Sequence, residues 1–349
     1  MEHQNTTKVL LELLDRPAFC VKDSRVIAAN ELALQRMIEV GDPIEKYLLQ
    51  CSAAYRDFSE GCLFINVYID YLTYGATVTR LEDCDLFLLE KLADSARQAM
   101  ALAAQQLRNP LNVAFTIAEG LKAGPQAEFK HYLNQMHRQI CNMADLNQYD
   151  TRAALFLQPT ELCSVFAETM KKASAALRIT KTKLHYTALP ETIVGMADRD
   201  MLERAILNLI SNAAKFSNAG DTINAKLTRK GDILHFTVQD NGCGIDPEVM
   251  QTAFFRYLRE PRVEDGRHGL GLGLAVVSAV ASCHDGTVLI TQPKKGGTRV
   301  TMTITILPCD DATLCSPVQL PSSDYASGHN RALMEFSELL PTRSFKENK

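Results

Sequence analysis

The stretch NLISNAAKF, residues 208–216, lies late in a predicted helix that spans Asp200–Phe216. Asn208, Asn212 and Lys215 are spaced i, i+4, i+7, so they share one stripe of that helix. The opposite face is apolar and is predicted to be buried: Leu202, Ile206, Leu209, Ile210 and Ala213. Two amides and an ammonium on one stripe suit a triphosphate with Mg²⁺, because amide oxygens are hard ligands and lysine supplies a point charge. By itself, the stripe could equally be an ordinary solvent-facing surface.

A second motif, DNGCGI, occupies residues 240–245 directly after a predicted strand. The carboxylate of Asp240, placed at a strand end, could accept a hydrogen bond from an adenine amino group. Gly242 and Gly244 would let the backbone turn sharply and approach a ring closely. The simpler alternative for this pattern is a plain turn.

Two glycine-rich segments follow. GLGLGL, residues 269–274, runs into a predicted helix, and backbone of this kind at a helix N-terminus can cradle phosphate. It is neither a P-loop, since GxxxxGK[ST] is absent, nor a Rossmann turn, since no strand leads into it. Gly296-Gly297-Thr298 enters the last predicted strand, where a glycine pair is usually only a turn.

In this order and spacing, the four motifs resemble the N, G1, G2 and G3 boxes of the GHKL ATPase superfamily. The lysine at Lys215 and a preceding helical hairpin narrow the resemblance to sensor histidine kinases. Phe254-Phe255-Arg256 looks like the F box of this family, which would open an ATP lid that extends to about His268. The resemblance implies ATP and Mg²⁺ as cofactors and a C-terminal ATPase domain over residues 160–307. Alternating predicted strands and helices favour an α/β sandwich for this domain, among them the strands Lys183–Thr187 and Ile233–Gln239 and the helix Gly273–Cys283.

The resemblance also implies roles for single residues. Asp240, with the glycines of its loop, would read adenine, and Thr298 would support that side. Asn212, with Asn208 beside it, would hold Mg²⁺. Lys215 and the glycine loop would hold the phosphates. The members of that loop are Gly269, Leu270, Gly271, Leu272 and Gly273, and Phe255 would belong to the lid.

Residues 83–152 predict a helical hairpin that precedes this domain. Apolar residues step by threes and fours from Leu89 to Leu121, Gly124-Pro125 interrupts the pattern, and a second helix follows. Two such helices cannot bury their seams alone, whereas two copies would form a four-helix bundle. The sequence therefore predicts a homodimer; the alternative is a monomeric hairpin that packs on its neighbours.

The family's phosphate-acceptor motif, His-Glu-Leu-Arg-Thr/Asn-Pro-Leu, is altered on the first helix of this hairpin. QQLRNPL, residues 105–111, stands in its place, with Gln105 at the histidine position and Gln106 at the acidic position. A primary amide nitrogen is not basic, and Gln106 cannot activate an imidazole, so we expect autophosphorylation at this position to fail. His131 and His137 lie on the second helix, and we expect them to be solvent-facing rather than displaced acceptors.

Asn109 is retained four residues beyond Gln105. In the family, a threonine or asparagine there is implicated in positioning water that hydrolyses the aspartyl phosphate of a response-regulator receiver domain. The alternative is that Asn109 simply precedes Pro110. Three functions therefore stay open: a nucleotide-gated scaffold or regulator phosphatase, a working kinase that uses a displaced or partner histidine, and a different GHKL machine. The hairpin with LRNPL argues against the third.

The two ends of the chain are less informative. Residues 1–80 predict a strand, a tight turn over Lys22–Ser24, a second strand, a helix over Asn30–Val40 and further strands. This order resembles a shortened PAS-type sensor or coupling domain. Residues 308–349 predict a linker and tail whose segment Asn330–Leu340 could be a docking helix or a disordered end. The whole is an α+β chain.

The composition of the chain limits the classes of function that it can have. The 349 residues carry a formal net charge of −4 and are 46% hydrophobic, so nothing resembles the basic footprint of a nucleic-acid binder. No run approaches the roughly 18 apolar residues of a membrane span, and the N-terminus lacks a signal-peptide pattern. We therefore expect a cytoplasmic protein without a membrane span.

Overall fold

The computed structural model describes residues 9–48, 51–70, 72–89, 94–148, 156–180, 182–246, 250, 254, 272–294, 296–309 and 330–345. The N-terminal unit is an antiparallel sheet in the order β2-β1-β5-β4-β3. Its strands are β1 (Ala18–Lys22), β2 (Arg25–Ala29), β3 (Cys62–Ile69), β4 (Leu72–Arg80) and β5 (Asp85–Leu89), and its helices are α1 (Glu31–Leu34), α2 (Glu45–Leu48) and α3 (Ser52–Asp57). Asp23 and Ser24 have φ angles of 50° and 59°, which confirms the predicted tight turn between β1 and β2.

Two predictions for this unit were wrong. The helix expected over Asn30–Val40 ends at Leu34, because Met37 adopts a left-handed φ of 63° that a helix cannot continue. The long helix expected from about Asp83 does not start there either. The segment Asp85–Leu89 is strand β5, paired on both sides with β1 and β4. Its leucines therefore pack on the two faces of the sheet, Leu89 on one face and Leu86 and Leu88 on the other, rather than along a helical seam.

The hairpin consists of α4 (Asp94–Glu119) and α5 (Ala123–Gln148). Gly124-Pro125 lies in the first turn of α5 rather than between the helices, where proline is tolerated because no intrahelical donor is lost. The two helices bury a shared apolar core: Ala104, Leu111, Phe115, Ala118, Leu133 and Ile140. No helix in the described part of the chain has the length and apolar character of a bilayer span.

The C-terminal unit is a mixed sheet in the order β11-β12-β10-β9-β7, with β7 and β9 parallel and the other neighbours antiparallel. Its elements are β6 (Gln158–Glu161), α6 (Leu162–Leu177), β7 (Lys183–Thr187), β8 (Val194–Ala197), α7 (Arg199–Phe216), β9 (Thr222–Lys230), β10 (Ile233–Gln239), α8 (Gly273–Cys283), β11 (Val288–Thr291) and β12 (Arg299–Thr305). Phe166 on α6 packs against Phe236 on β10, with ring centroids 5.0 Å apart. The helices and sheet share one apolar core, so the predicted α/β sandwich is confirmed.

The two sheets join edge to edge into one sheet of ten strands. Strand β3 pairs antiparallel with β11, with Phe64 opposite Val288 and Cys62 opposite Ile290. A side-chain hydrogen bond from Ser282 Oγ to Asn66 Oδ1, 2.6 Å long, supports the same junction. This pairing covers two strand edges that would otherwise be open.

The C-terminal segment docks on the rest of the protein. Of the two alternatives for Asn330–Leu340, the structure therefore shows the docking helix and not the disordered end. It forms a short helix, α9 (Arg331–Glu335), and a 3₁₀ turn (Thr342–Phe345). Phe336, Leu340 and Phe345 are buried in the core of the C-terminal unit.

Candidate nucleotide-binding site

Helix α7 carries the NLISNAAKF stretch and holds it firmly in the core. Asp198 caps the helix, since its Oδ1 accepts a 3.1 Å hydrogen bond from the Met201 N–H. Asn208 is fully buried, and its Nδ2 donates to the Arg204 carbonyl at 3.1 Å. No donor from the described residues reaches Asn208 Oδ1. An unpaired buried amide oxygen costs roughly 1–3 kcal/mol, so this atom marks a position where a ligand would be stabilising.

The start of helix α8 lies directly against this stripe. A Cβ built on Gly273 would sit 3.0 Å from Asn208 Oδ1 and 3.1 Å from Asn212 Nδ2. The missing side chain therefore lets a helix N-terminus, which carries positive partial charge, approach two amide groups. Leu272 is buried just before it. Of the predicted glycine loop, Gly269, Leu270 and Gly271 lie outside the described residues, as does Phe255.

Asp240 ties two loops together through one carboxylate oxygen. Its Oδ1 accepts hydrogen bonds from the Gly242 N–H at 2.9 Å and the Thr298 N–H at 3.0 Å. Its own N–H donates to the Thr298 carbonyl at 3.0 Å. The side chain is buried, and this desolvation raises the pKa of Asp240, while the two backbone donors partly offset the rise. The structure thus brings Asp240, Gly242 and Thr298 together through hydrogen bonds.

The glycines around Asp240 have no room for side chains. A Cβ on Gly242 would lie 2.0 Å from the Phe216 carbonyl oxygen, at the end of α7. A Cβ on Gly297 would lie 2.1 Å from the Asp240 carbonyl oxygen, and Gly297 also has a φ of 78°. Gly244 has the same φ of 78°. The Asp240 loop is therefore packed directly against the helix that carries Asn208 and Asn212.

Lys215 differs from the other predicted phosphate ligands because it forms an ion pair with the C-terminal segment. Its Nζ donates to Glu338 Oε2 at 2.7 Å, and its side chain is only 8% exposed. Sequence reasoning missed Glu338, because 123 residues separate it from Lys215 and no motif surrounds it.

The acceptor position lies on helix α4. The backbone of Gln105 and Asn109 is helical, but their side chains lie outside the described part of the structure. Gln106 is exposed. The expectation that the histidines of α5 face solvent was wrong. His137 is 2% exposed and packs against Phe115, and His131 is half-buried.

Comparison with known proteins places these residues within a known type of domain. Residues 197–308 match the family described as histidine kinase-, DNA gyrase B-, and HSP90-like ATPase. Over 230 residues the chain is 27% identical to the histidine protein kinase DivJ of Caulobacter vibrioides. Residues 197–308 therefore carry an ATP-binding domain of this ATPase type. This ATPase domain holds Asp240, Asn208 and Asn212 within the matched residues.

Further relatives agree with this assignment. The chain is 27% identical over 205 residues to the sensor protein KdpD of Clostridium acetobutylicum, and 35% identical over 121 residues to the sensor-like histidine kinase SenX3 of Mycobacterium tuberculosis. These matches cover 55% and 34% of this chain, and the DivJ match covers 62%. The chain spans only 22% of KdpD, 38% of DivJ and 29% of SenX3.

A solved structure shows the same fold. The crystal structure of full-length ShkA in complex with AMPPNP superposes with a TM-score of 0.50 at 19% identity. The match covers 61% of this chain and 46% of ShkA.

Proposed function

We propose that the chain is a two-component, histidine-kinase-like signalling protein that binds Mg²⁺–ATP but does not form a phosphohistidine at the usual position. The observation that carries this proposal is Gln105, which replaces the acceptor histidine in QQLRNPL on α4. It contrasts with an ATPase domain whose pocket residues are present and packed together.

In this proposal, Asp240 accepts a hydrogen bond from the adenine amino group, with Thr298 holding the carboxylate in place. The Asp240–Thr298 and Asp240–Gly242 hydrogen bonds support this role because they fix the carboxylate before a ligand arrives. Lys215 and the loop over Gly269–Gly273 hold the phosphates. Polyphosphate recognition of this kind relies on positioning and charge neutralisation.

Asn208 and Asn212 would hold Mg²⁺, and the residues present fit that ion. The unpartnered Oδ1 of Asn208 is buried beside Gly273 and Asn212, and Mg²⁺ prefers oxygen ligands. Within the described residues, no cluster of three or more His, Cys, Asp or Glu competes for a metal. When bound, the ion would neutralise phosphate charge.

At the acceptor position, the chemistry fails for a simple reason. Transfer of the γ-phosphoryl group requires a nucleophile with an available lone pair, and an imidazole nitrogen supplies one. The nitrogen lone pair of a primary amide is delocalised into the carbonyl, so Gln105 cannot form a useful N–P bond. Gln106 has no carboxylate with which to orient or deprotonate a neighbour.

The hairpin would dimerise and present its surface to a response-regulator receiver domain. Dimerisation is supported by apolar side chains that remain at least 40% exposed on the hairpin: Leu107, Val113, Ile117, Leu121, Phe129, Tyr132 and Met136. Burying them in a four-helix bundle would remove this surface from water. Sedimentation equilibrium should show a dimer that Ile117→Glu converts to a monomer.

Residues 1–80 would serve as a PAS-like coupling domain. Its support is the strand order β2-β1-β5-β4-β3, with the short helices α1 to α3 between β2 and β3. The β3–β11 pairing would let it act directly on the ATPase domain.

A second candidate function is dephosphorylation of a response regulator. It is favoured by Asn109, which follows Gln105 by about one helical turn on α4 and so lies on the same face. A kinase with a displaced acceptor is disfavoured, since His137 is buried and His131 contacts Phe345.

The deciding experiment incubates the purified protein with γ-labelled ATP and Mg²⁺ and measures acid-labile label on the protein. The wild type should stay unlabelled, while Gln105→His should gain label that an added Asp240→Asn abolishes. Label on the wild type itself would contradict the proposal and would call for mapping of the modified residue.

A further inference from the structure

The C-terminal clamp, which we define as residues Asn330–Phe345, lies along helix α7. At its start, Arg331 NH1 forms ion pairs with Asp200 at 2.8 Å and with Glu203 at 3.4 Å. In its middle, the Glu335 carbonyl accepts a 2.9 Å hydrogen bond from Ser211 Oγ. The clamp therefore follows α7 from its first turn to the stripe that carries the nucleotide ligands.

At the far end of this path, Glu338 meets Lys215. Glu338 Oε2 accepts from Lys215 Nζ at 2.7 Å and lies 3.3 Å from Arg138 NH1, while Oε1 accepts from Gln139 at 3.1 Å. Burial raises the pKa of Glu338, but the charges of Arg138 and Lys215 together outweigh it, so the net pKa is lowered. The ionised carboxylate of Glu338 is therefore paired with the ammonium group of Lys215, which our proposed function assigns to phosphate binding.

The same clamp ties the ATPase domain to the hairpin. Arg138 on α5 donates from Nε to Glu335 Oε2 at 3.0 Å, and both side chains are nearly inaccessible to water. Phe345 packs its ring against His131 on the same helix, with centroids 5.1 Å apart. One short segment therefore bridges the helix opposite the acceptor position and the helix of the nucleotide site.

We propose that the clamp is autoinhibitory: Glu338 competes with the nucleotide phosphates for Lys215, so the docked clamp weakens Mg²⁺–ATP binding. The proposal rests on the proposed function, because it needs Lys215 to be a phosphate ligand. An ammonium group that is already paired with a buried carboxylate cannot also neutralise a phosphate chain at full strength. In this proposal, the Glu338 carboxylate pairs with Lys215 in place of a nucleotide phosphate.

Clamp docking and ATP binding are thermodynamically linked in this proposal, and two consequences follow. If only the undocked state offers Lys215 fully, the apparent ATP affinity falls with the undocked fraction. By reciprocity, bound ATP must loosen the clamp by the same factor. Undocking would also release Arg138 from the clamp, while the hydrogen bond from Arg204 to Asn142 would still join α7 to the hairpin.

The test measures binding of Mg²⁺–ATP and of adenosine to the full chain by calorimetry. Glu338→Gln removes the competing charge at nearly constant shape and should tighten ATP binding by about fivefold or more, without changing adenosine binding. Glu191→Gln is the matched control, since it makes the same charge change at an exposed position that pairs with Arg229. It should leave ATP binding unchanged.

A second variant guards against a folding defect at Glu338. Arg331→Gln loosens the other end of the clamp without touching Lys215, and it too should tighten ATP binding. Saturating Mg²⁺–ATP should also speed amide hydrogen exchange across residues 330–345 of the wild type.

The outcomes separate cleanly. If a folded Glu338→Gln binds ATP as tightly as the wild type or more weakly, Glu338 only positions Lys215 and the clamp proposal is overturned. If adenosine binding tightens equally, the effect is not competition for phosphate and the proposal is again overturned. A failure of the proposed function would give a different result, in which Asp240→Asn leaves ATP and adenosine binding unaffected.

Discussion

The nucleotide pocket and the acceptor segment of α4 differ in what their residues can still do. The pocket holds features that cost stability in the absence of a ligand: a buried carboxylate with a raised pKa and a buried amide oxygen without a donor. At the acceptor position, Gln105 and Gln106 are amides on a helix, suited to it and chemically inert. A structural cost is easiest to explain where a ligand offsets it, and the described side chains of the pocket carry such a cost.

If the proposed function is correct, nucleotide recognition and phosphoryl acceptance are separable within one chain. The pocket lies on α7, α8, β10 and β12, whereas the acceptor segment belongs to a different layer of the molecule. No described hydrogen bond joins Asp240 to the hairpin, whereas the helix of Asn208 does contact it, since Arg204 donates to Asn142 on α5 at 2.9 Å.

The largest expected effect comes from rebuilding the acceptor. Gln105→His should give acid-labile label, and the double variant Gln105→His/Gln106→Glu should label faster by on the order of 10²-fold, since a carboxylate can orient and activate the imidazole. Initial rates with γ-labelled ATP measure both. Equal rates for the single and double variants would show that the acidic position does not contribute.

Next in size is the loss of adenine recognition. Asp240→Asn should weaken Mg²⁺–ATP binding by roughly 10- to 100-fold, because an amide group at this position cannot satisfy both backbone donors and the adenine amino group with one oxygen. Calorimetry measures the change. A control without ATP should show that the variant still unfolds cooperatively; unchanged affinity would remove Asp240 from the site.

A matched glycine pair tests how tightly the pocket is built. Gly297→Ala should lower the free energy of unfolding by about 2–4 kcal/mol, because its Cβ would collide with the Asp240 carbonyl. Gly296→Ala has a similar positive φ of 91° but open space around it, so it should cost only about 1 kcal/mol. Urea unfolding compares the two. Equal costs would mean that backbone strain alone matters here.

Local patterns were enough to predict the ATPase domain closely. Lys183–Thr187, Ile233–Gln239 and Gly273–Cys283 have the predicted bounds, because their alternation or apolar run is closed by clear turns. Asp85–Leu89 was mistaken for helix because a short run of leucines fits either period. Its strand character comes from pairing with β1 and β4, which is not a local property.

Contacts between distant segments could not be predicted from the sequence. The β3–β11 pairing depends on two sheet edges that meet in space, and neither edge carries a distinctive motif. The Asp240–Gly242–Thr298 pocket was predictable only because each part is a motif. Lys215 was predicted as a phosphate ligand, but its ion pair with Glu338 follows from the docking of the C-terminal clamp.

The smallest expected effect concerns acid stability and separates the clamp from the pocket. The folded-state pKa of Glu338 is lowered below its ordinary value of 4.5, so its ionised form stabilises the fold. This contribution is fully present above the unfolded pKa and is lost as the pH falls through the folded pKa. Glu338→Gln does not titrate at this position. The difference in free energy of unfolding between wild type and variant should therefore be constant above about pH 4.5 and shrink below it.

Desolvation opposes the two cations at Glu338, which keeps this effect modest. Urea unfolding of both proteins across the acidic range measures it, and Glu191→Gln should show no such shrinkage if its exposed ion pair contributes little. A wild-type-to-variant difference that stays constant down to strongly acidic pH would mean that the Glu338 carboxylate is not held by charge. The clamp would then be held by its buried apolar side chains and by the ion pairs of Arg331 and Glu335, and nucleotide could not displace it by competing for Lys215.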